Sequence, residues 1–200
     1  MILNDKAILA ECPPGKNAKK MVMPFVNHQE GFPSYGLGPA GYDIRLGPNI
    51  QVVQQGATLE PGMEDSDMES VLMMQQALEP GSKFIVWAGT TVMVESRERF
   101  KMPTNVRARI ASKSTYSRLG LMLSTAEIEP GWKGRLKFML VNPTTANIVV
   151  TVGAGIAQIV FDRIEEPDTA YAGHYQEDLE EETEDDAVAN HFAGDDEDGS

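Results

Sequence analysis

Between Gly81 and Phe161 the chain carries six short runs rich in β-branched and aromatic residues, each closed by a turn signal, and this punctuation constrains the fold more than any other feature. The runs are Lys83–Trp87, Thr90–Val94, Val106–Ile110, Arg135–Val141, Ile148–Val152 and Ile156–Phe161. Six such segments in about 80 residues predict a compact all-β barrel or sandwich. Ahead of them, Gly31-Phe32-Pro33, Gly36, Gly38-Pro39, Gly41, Gly47-Pro48, Pro61-Gly62 and Pro80-Gly81 break the text too often for long helices. A short N-terminal helix is the exception: Asn4 is a plausible N-cap for Asp5–Cys12, and Pro13-Pro14-Gly15 stops it. The Met- and Gln-rich stretch Glu64–Ala77 has no breaker and reads as a helical turn or two, or as a mobile insertion with some strand.

Charge divides the chain in two. The formal net charge is −13, yet residues 177–200 hold twelve acids and no Lys or Arg, leaving eighteen acids against seventeen bases in the rest, a net −1. The expected organisation is therefore one domain over 1–176 and an acidic, disordered tail over 177–200. A basic nucleic-acid footprint is missing, and such a tail repels phosphate backbones and anionic lipid headgroups, so neither nucleic acid nor membrane is expected as a partner. One cysteine, Cys12, excludes an internal disulfide framework and a zinc site needing two thiolates. The start lacks a signal-peptide pattern and no apolar run approaches 18 residues, which points to a cytoplasmic protein.

The densest polar cluster is Ser112-Lys113-Ser114-Thr115-Tyr116-Ser117-Arg118-Leu119-Gly120. Two cations and several hydroxyls directly after a strand supply the donors that hold phosphate oxygens; the bland alternative is a turn whose hydroxyls satisfy their own backbone. Downstream, Glu127 and Glu129 precede a Pro130-Gly131 turn, where a carboxylate near bound phosphates could hold a water or a magnesium ion. In the strand that follows, Leu136, Phe138 and Leu140 share one face and Arg135, Lys137, Met139 and Val141 the other, so Met139 is an apolar exception on a partly basic face. The His-x-Glu and Pro-Cys-x-x-Cys signature of zinc deaminases is absent, as are Walker and dinucleotide fingerprints, and His28, His174 and His191 lie far apart.

From Met1 to about Gln176 the chain resembles the dCTP deaminase family within the trimeric dUTPase-like superfamily. The resemblance rests on Met1-Ile2-Leu3-x-Asp5-Lys6-x-Ile8-Leu9, Met23-Pro24-Phe25, Ala40–Gly47 (AGYDIRLG), Lys113–Leu121 (KSTYSRLGL), Ile128–Gly134 (IEPGWKG), Gly155–Gln158 (GIAQ), and the segment Tyr171–Gln176. It implies a mainly β, distorted barrel, a homotrimer with sites between subunits, and Mg²⁺ riding on a nucleotide triphosphate without zinc. By position, Lys113, Ser114 and Arg118 would bind phosphates, Gln158, Tyr171 and His174 would enclose the nucleotide, and Glu129 would position water. Deaminating members carry a glutamate base where this chain has Met139, and a thioether cannot take a proton from water. The function expected first is thus hydrolysis of a deoxypyrimidine triphosphate (dUTP, dCTP or a modified form) to monophosphate and pyrophosphate. The alternatives are a dCTP deaminase with a relocated base, Glu127 being the candidate, and a non-catalytic nucleotide-binding or interaction trimer.

Overall fold

The structure, a computed structural model, describes residues 1–14, 20–31, 33–61, 63, 70–74, 77–124, 127–169, 171–173 and 175. The acidic tail expected at 177–200, His174, and much of the 64–77 stretch lie outside the described residues. Helix α1 (Asp5–Ala10) starts as its sequence dictates, the Asn4 side chain accepting a hydrogen bond from the Ala7 amide, and Ile8 anchors it in the core. Among the described residues twelve strands follow: β1 (Val22–Met23), β2 (Gly36–Gly38), β3 (Gly41–Val53), β4 (Leu72–Met74), β5 (Lys83–Val86), β6 (Thr91–Lys101), β7 (Val106–Ser112), β8 (Met122–Leu123), β9 (Glu127–Ile128), β10 (Lys133–Val141), β11 (Ile148–Thr151) and β12 (Gly155–Arg163), with a one-turn helix α2 (Ser114–Ser117) after β7.

The strands curl into the distorted, mainly β half-barrel that the punctuation and the resemblance implied. One sheet runs in the order β8-β10-β6-β3-β12-β7-β9, with β1 added to β6 and β2 and β4 to β3, while β5 and β11 form a separate ribbon. Every pairing is antiparallel. Tyr42, Ile44 and Leu46 of β3, Phe100 of β6 and Ile159 and Phe161 of β12 have no accessible surface. Full burial of side chains of this size stabilises by roughly 1.5–3 kcal/mol each.

Strand β3 was not foreseen as a continuous element, because Gly47-Pro48 reads as a break. It is the spine of the sheet. Its first half pairs with β12 and β2, its second half with β6 and β4. Pro48 falls in the register shift between Leu46 and Ile50, where the ladder is already interrupted, so its missing N–H is tolerated. Gly47 is required there: a Cβ would lie 2.9 Å from the Glu95 carbonyl oxygen.

Strand β6 also runs further than its sequence advertises. The charged run Glu95-Ser96-Arg97-Glu98-Arg99-Phe100-Lys101 continues the strand, with Ser96, Glu98 and Phe100 buried and the alternating residues half-buried. Opposite it, Arg135 pairs with Arg99 but Lys137 pairs with Glu95, so residues 96–98 bulge against Leu136 alone. The bulge is stitched by Ser96, whose hydroxyl donates to the Glu98 carbonyl (2.6 Å) and accepts from the Leu136 amide (3.0 Å). Glu98 turns inward at the point where β3 passes from one half of the sheet to the other. Its carboxylate accepts from the Arg45 amide (2.9 Å) and from Arg45 Nε (2.6 Å). Burial pushes the Glu98 carboxyl up from its ordinary value and the Arg45 guanidinium pulls it back down. Because removing one member of a buried pair strands the other charge, Glu98→Ala is expected to cost about 3–5 kcal/mol of stability, read from urea unfolding; a loss below about 1 kcal/mol would show that the corner does not depend on the pair.

Candidate functional site

The polar cluster singled out in the sequence forms the loop leaving β7. Tyr116 and Leu121 are buried and pin it from within, while Ser114, Ser117 and Arg118 are exposed. Gly120 has a φ of +86°, and a Cβ there would sit 2.5 Å from the Thr144 methyl, so the loop packs tightly against the turn after β10. Asn142 holds that turn. It has no exposed surface; its amide donates to the carbonyls of Val86 (2.9 Å) and Ala146 (2.8 Å), and its side-chain oxygen accepts from the Thr144 amide (3.1 Å) and hydroxyl (2.7 Å). Next to the loop lies an open depression of about 230 Å³ lined by Ser112, Ser117, Gly120, Leu121, Met122 and Leu123.

Lys113 is fixed from two sides. Its ammonium ion-pairs with the Asp43 carboxylate and donates to Ser34 Oγ (3.3 Å). Asp43 comes from β3 and stands in register with Gln158 of β12, which in turn pairs with Ala111 of β7. Lys113, Asp43 and Gln158 thus occupy one end of the outward sheet face, together with Ser34. The glycines here are steric requirements: a Cβ on Gly41 would lie 2.7 Å from the Ile159 carbonyl oxygen and one on Gly155 2.0 Å from that of Ser34. Asp43 was missed as a site residue although its motif was quoted; its outward position at the alternation Tyr42 (buried), Asp43 (half-buried), Ile44 (buried) was the available signal.

Other expected residues are not assembled with this group within one chain. Ile128 of β9 pairs with Ala108 of β7, so Glu129 flanks the opposite end of β7 from Lys113, about 17 Å away along five residues of strand. Glu127 is exposed and in register with Arg109. Tyr171 is half-buried beside the same turn, its amide donating to the Pro130 carbonyl (3.0 Å), and Trp132 Nε1 donates to the Tyr175 carbonyl (2.8 Å). Tyr171 and Tyr175 are therefore both tied to the Glu129–Trp132 turn of their own chain.

Met139 is half-buried on β10, its amide donating to Ser124 Oγ (2.9 Å). The register places it opposite Met93, and Met93 opposite Gln51, a row without a carboxylate. The acid nearest in register on this face is Glu95, the diagonal neighbour of Met139 at roughly 7–8 Å between backbones. Glu95 accepts from the Asn49 side-chain amide (2.7 Å) and stands opposite Lys137. Among the described residues no three His, Cys, Asp or Glu side chains come together as a metal cage, and no helix is long and apolar enough to cross a membrane. The Cys12 thiol is buried and pushed up to about 11, which leaves it a poor nucleophile near neutral pH.

Comparison with known proteins fits this geometry. The family model described as dCTP deaminase-like matches residues 19–164. The dCTP deaminase of Campylobacter concisus is 33% identical over 166 residues, covering 79% of this chain and 86% of that protein, and the one from Campylobacter jejuni is 33% identical over 163 residues, covering 78% and 85%. Among solved structures, the 2'-deoxycytidine 5'-triphosphate deaminase of Agrobacterium tumefaciens superposes with a TM-score of 0.61 at 24% identity, covering 82% of this chain but only 48% of that one. The present chain spans about half the length of that structure's chain, and the likeness bears on the fold.

The ion pair that aims Lys113 generates a prediction. Asp43→Asn should leave the fold intact but release the ammonium, weakening inorganic triphosphate binding about 10-fold or more by calorimetry, in line with one charge-assisted hydrogen bond. Unchanged affinity would mean that Lys113 does not hold the anion.

Proposed function

The chain belongs to the dCTP deaminase-like family, and from that premise we propose that it deaminates deoxycytidine triphosphate, adding water at C4 of the base and releasing ammonia to leave the uracil nucleotide. The observation that carries this reading is the extent of the family match, whose span of residues 19–164 includes the Lys113 loop, the Glu129 turn and the Met139 strand. The relatives matched over more than three-quarters of this chain are named dCTP deaminase. They favour deamination over the hydrolysis that the sequence alone put first.

In this reading the triphosphate lies on Lys113, Ser114 and Arg118. Lys113 is preset by Asp43, and the two exposed side chains stand at the start and end of the one-turn helix. Mg²⁺ enters as the counter-ion of the substrate's phosphates. The separation of Glu129 from the phosphate loop supports a site completed by a second copy, as a trimer would provide. Gln158, beside Asp43, and Tyr171, on the closure segment, contact the nucleotide from different elements, and His174 extends that segment. The proton of the attacking water needs an acceptor other than residue 139. Glu95 is placed to take it on the same face and to return it to the departing amine. Glu127 could serve only from a second copy, as Glu129 would.

One observation favours a second reaction. With no carboxylate in the row Gln51–Met93–Met139 and an exposed acid at Glu129, the same site could split the triphosphate into monophosphate and pyrophosphate. Product analysis separates the two. With Mg²⁺ and dCTP the expected products are dUTP and ammonia in equal amounts; pyrophosphate without a uracil nucleotide would establish the hydrolytic reading, and no product from any pyrimidine triphosphate would leave a binding protein. Glu95→Gln is expected to lower deamination by about 10²–10⁴-fold while nucleotide affinity stays within a few-fold, and Glu129→Gln should spare it less than Glu127→Gln. Full turnover in Glu95→Gln would remove that residue as the base.

A further inference from the structure

Ser34 reaches the Lys113 loop from an element that none of the sequence motifs includes. It lies between the bridge partners Gln29 and Tyr35, just ahead of β2, and is half-buried. Its backbone is held from two sides. Tyr35 exchanges backbone hydrogen bonds with Gln29 (2.9 and 3.4 Å) and lays its ring over the Arg45 guanidinium, 5.1 Å from the ring centre. Arg45 Nη2 is buried without a hydrogen-bond acceptor among the described residues, so the ring face is worth more to this cation than it would be at an exposed site. On the other side the Ser34 carbonyl packs onto Gly155, where a Cβ would stand 2.0 Å from its oxygen.

Hydrogen-bond capacity then singles out the Ser34 side chain. The Lys113 ammonium has three donors and spends two of them, on Asp43 and on Ser34 Oγ (3.3 Å). The third meets no acceptor among the described residues, although the side chain is only 11% exposed. Ser34 Oγ accepts from Lys113, while among the described residues its own O–H donates to nothing. Two unspent donors therefore stand side by side. Tetrahedral placement of the ammonium donors puts an acceptor on the third one roughly 5 Å from Ser34 Oγ, a gap that two oxygens of one phosphate bridge when each takes one donor. Charge points the same way. Asp43 offsets the Lys113 charge at short range, so the pair offers a triphosphate donors more than net positive charge, and a neighbouring hydroxyl adds a donor without burying another charge.

We propose that Ser34 Oγ is a direct ligand of the nucleotide's phosphate chain, donating beside Lys113, and that Tyr35 is the positioning residue that holds it there. The inference rests on the reading of the Lys113 loop as the triphosphate site. Glu98, Arg45, Tyr35 and Ser34 then form a continuous line of contacts from the corner of the sheet to Lys113.

The test measures binding of inorganic triphosphate with Mg²⁺ to the full-length protein by calorimetry at low ionic strength, where weak anion binding stays measurable. Ser34→Ala should bind about 10-fold more weakly, the scale of a hydrogen bond to a charged group, with its urea midpoint unchanged. Native affinity in Ser34→Ala would overturn the proposal. Lys113→Met combined with Ser34→Ala should bind more weakly than Lys113→Met alone; equal affinities would reduce Ser34 to a contact that orients Lys113, and would likewise overturn it. Tyr35→Leu should weaken binding as Ser34→Ala does and add nothing in the Ser34→Ala background, whereas Tyr35→Phe, which keeps the ring over Arg45, should bind as the native protein does. Equal affinities of the two Tyr35 variants would remove Tyr35 from that role, and if Tyr35→Leu loses the fold the Ser34 comparisons decide on their own. Native affinity in both Lys113→Met and Arg118→Gln would instead remove the triphosphate reading of the loop, a failure distinct from loss in those two variants with none in Ser34→Ala.

Discussion

The Arg45–Glu98 pair is the constraint on which the remaining geometry hangs. A single strand, β3, serves both halves of the curled sheet, and it must change partners between Arg45 and Leu46. At that point the backbone of β6 is bulged and cannot offer a regular ladder. Glu98 substitutes its carboxylate for the missing carbonyl, satisfying the Arg45 amide, and the guanidinium it draws in neutralises it. Arg45 in turn lies over the Tyr35 ring at 5.1 Å, which ties the segment before β3 to the same corner. Without this exchange of side-chain for backbone bonding, β3 would serve one sheet half, and the face that holds Asp43 and Gln158 would lose its fixed relation to the face that holds Met139 and Glu95.

From that corner the two functional faces follow by alternation. Asp43, two residues before Arg45, points outward and fixes Lys113; beyond the corner, Gln51, Met93 and Met139 form a row across β3, β6 and β10. The bulge that creates the corner also sets the register that makes Glu95 the diagonal neighbour of Met139 and places Arg135 opposite Arg99. One irregularity in one strand thus sets the register around both Glu98 and Met139.

Much of this was legible in the sequence, and the exceptions have physical causes. The Lys113 loop stood out in the sequence because its chemistry is local: cations and hydroxyls packed into nine residues that end on a glycine the Thr144 contact requires. Strands β5, β7, β10, β11 and β12 could be read because their apolar residues outnumber their charges. The far half of β6 could not, since Glu95–Lys101 looks like a solvated charge run until the bulge buries Glu98 and Ser96. Strand β3 was hidden by Gly47-Pro48, whose acceptability depends on a register shift that no local pattern announces. The role of Asp43 and the distance between Glu129 and Lys113 are likewise properties of register.

In the proposed nucleotide site the Lys113 loop of one copy meets Glu129 of another. The most direct measurement is a crystal structure with a non-reactive dCTP analogue bound. A composite site requires triphosphate oxygens on Lys113, Ser114 and Arg118 of one chain, with Glu129 of a second chain reaching the same nucleotide. A nucleotide contacted by a single chain, or a triphosphate bound away from the Lys113 loop, would contradict it.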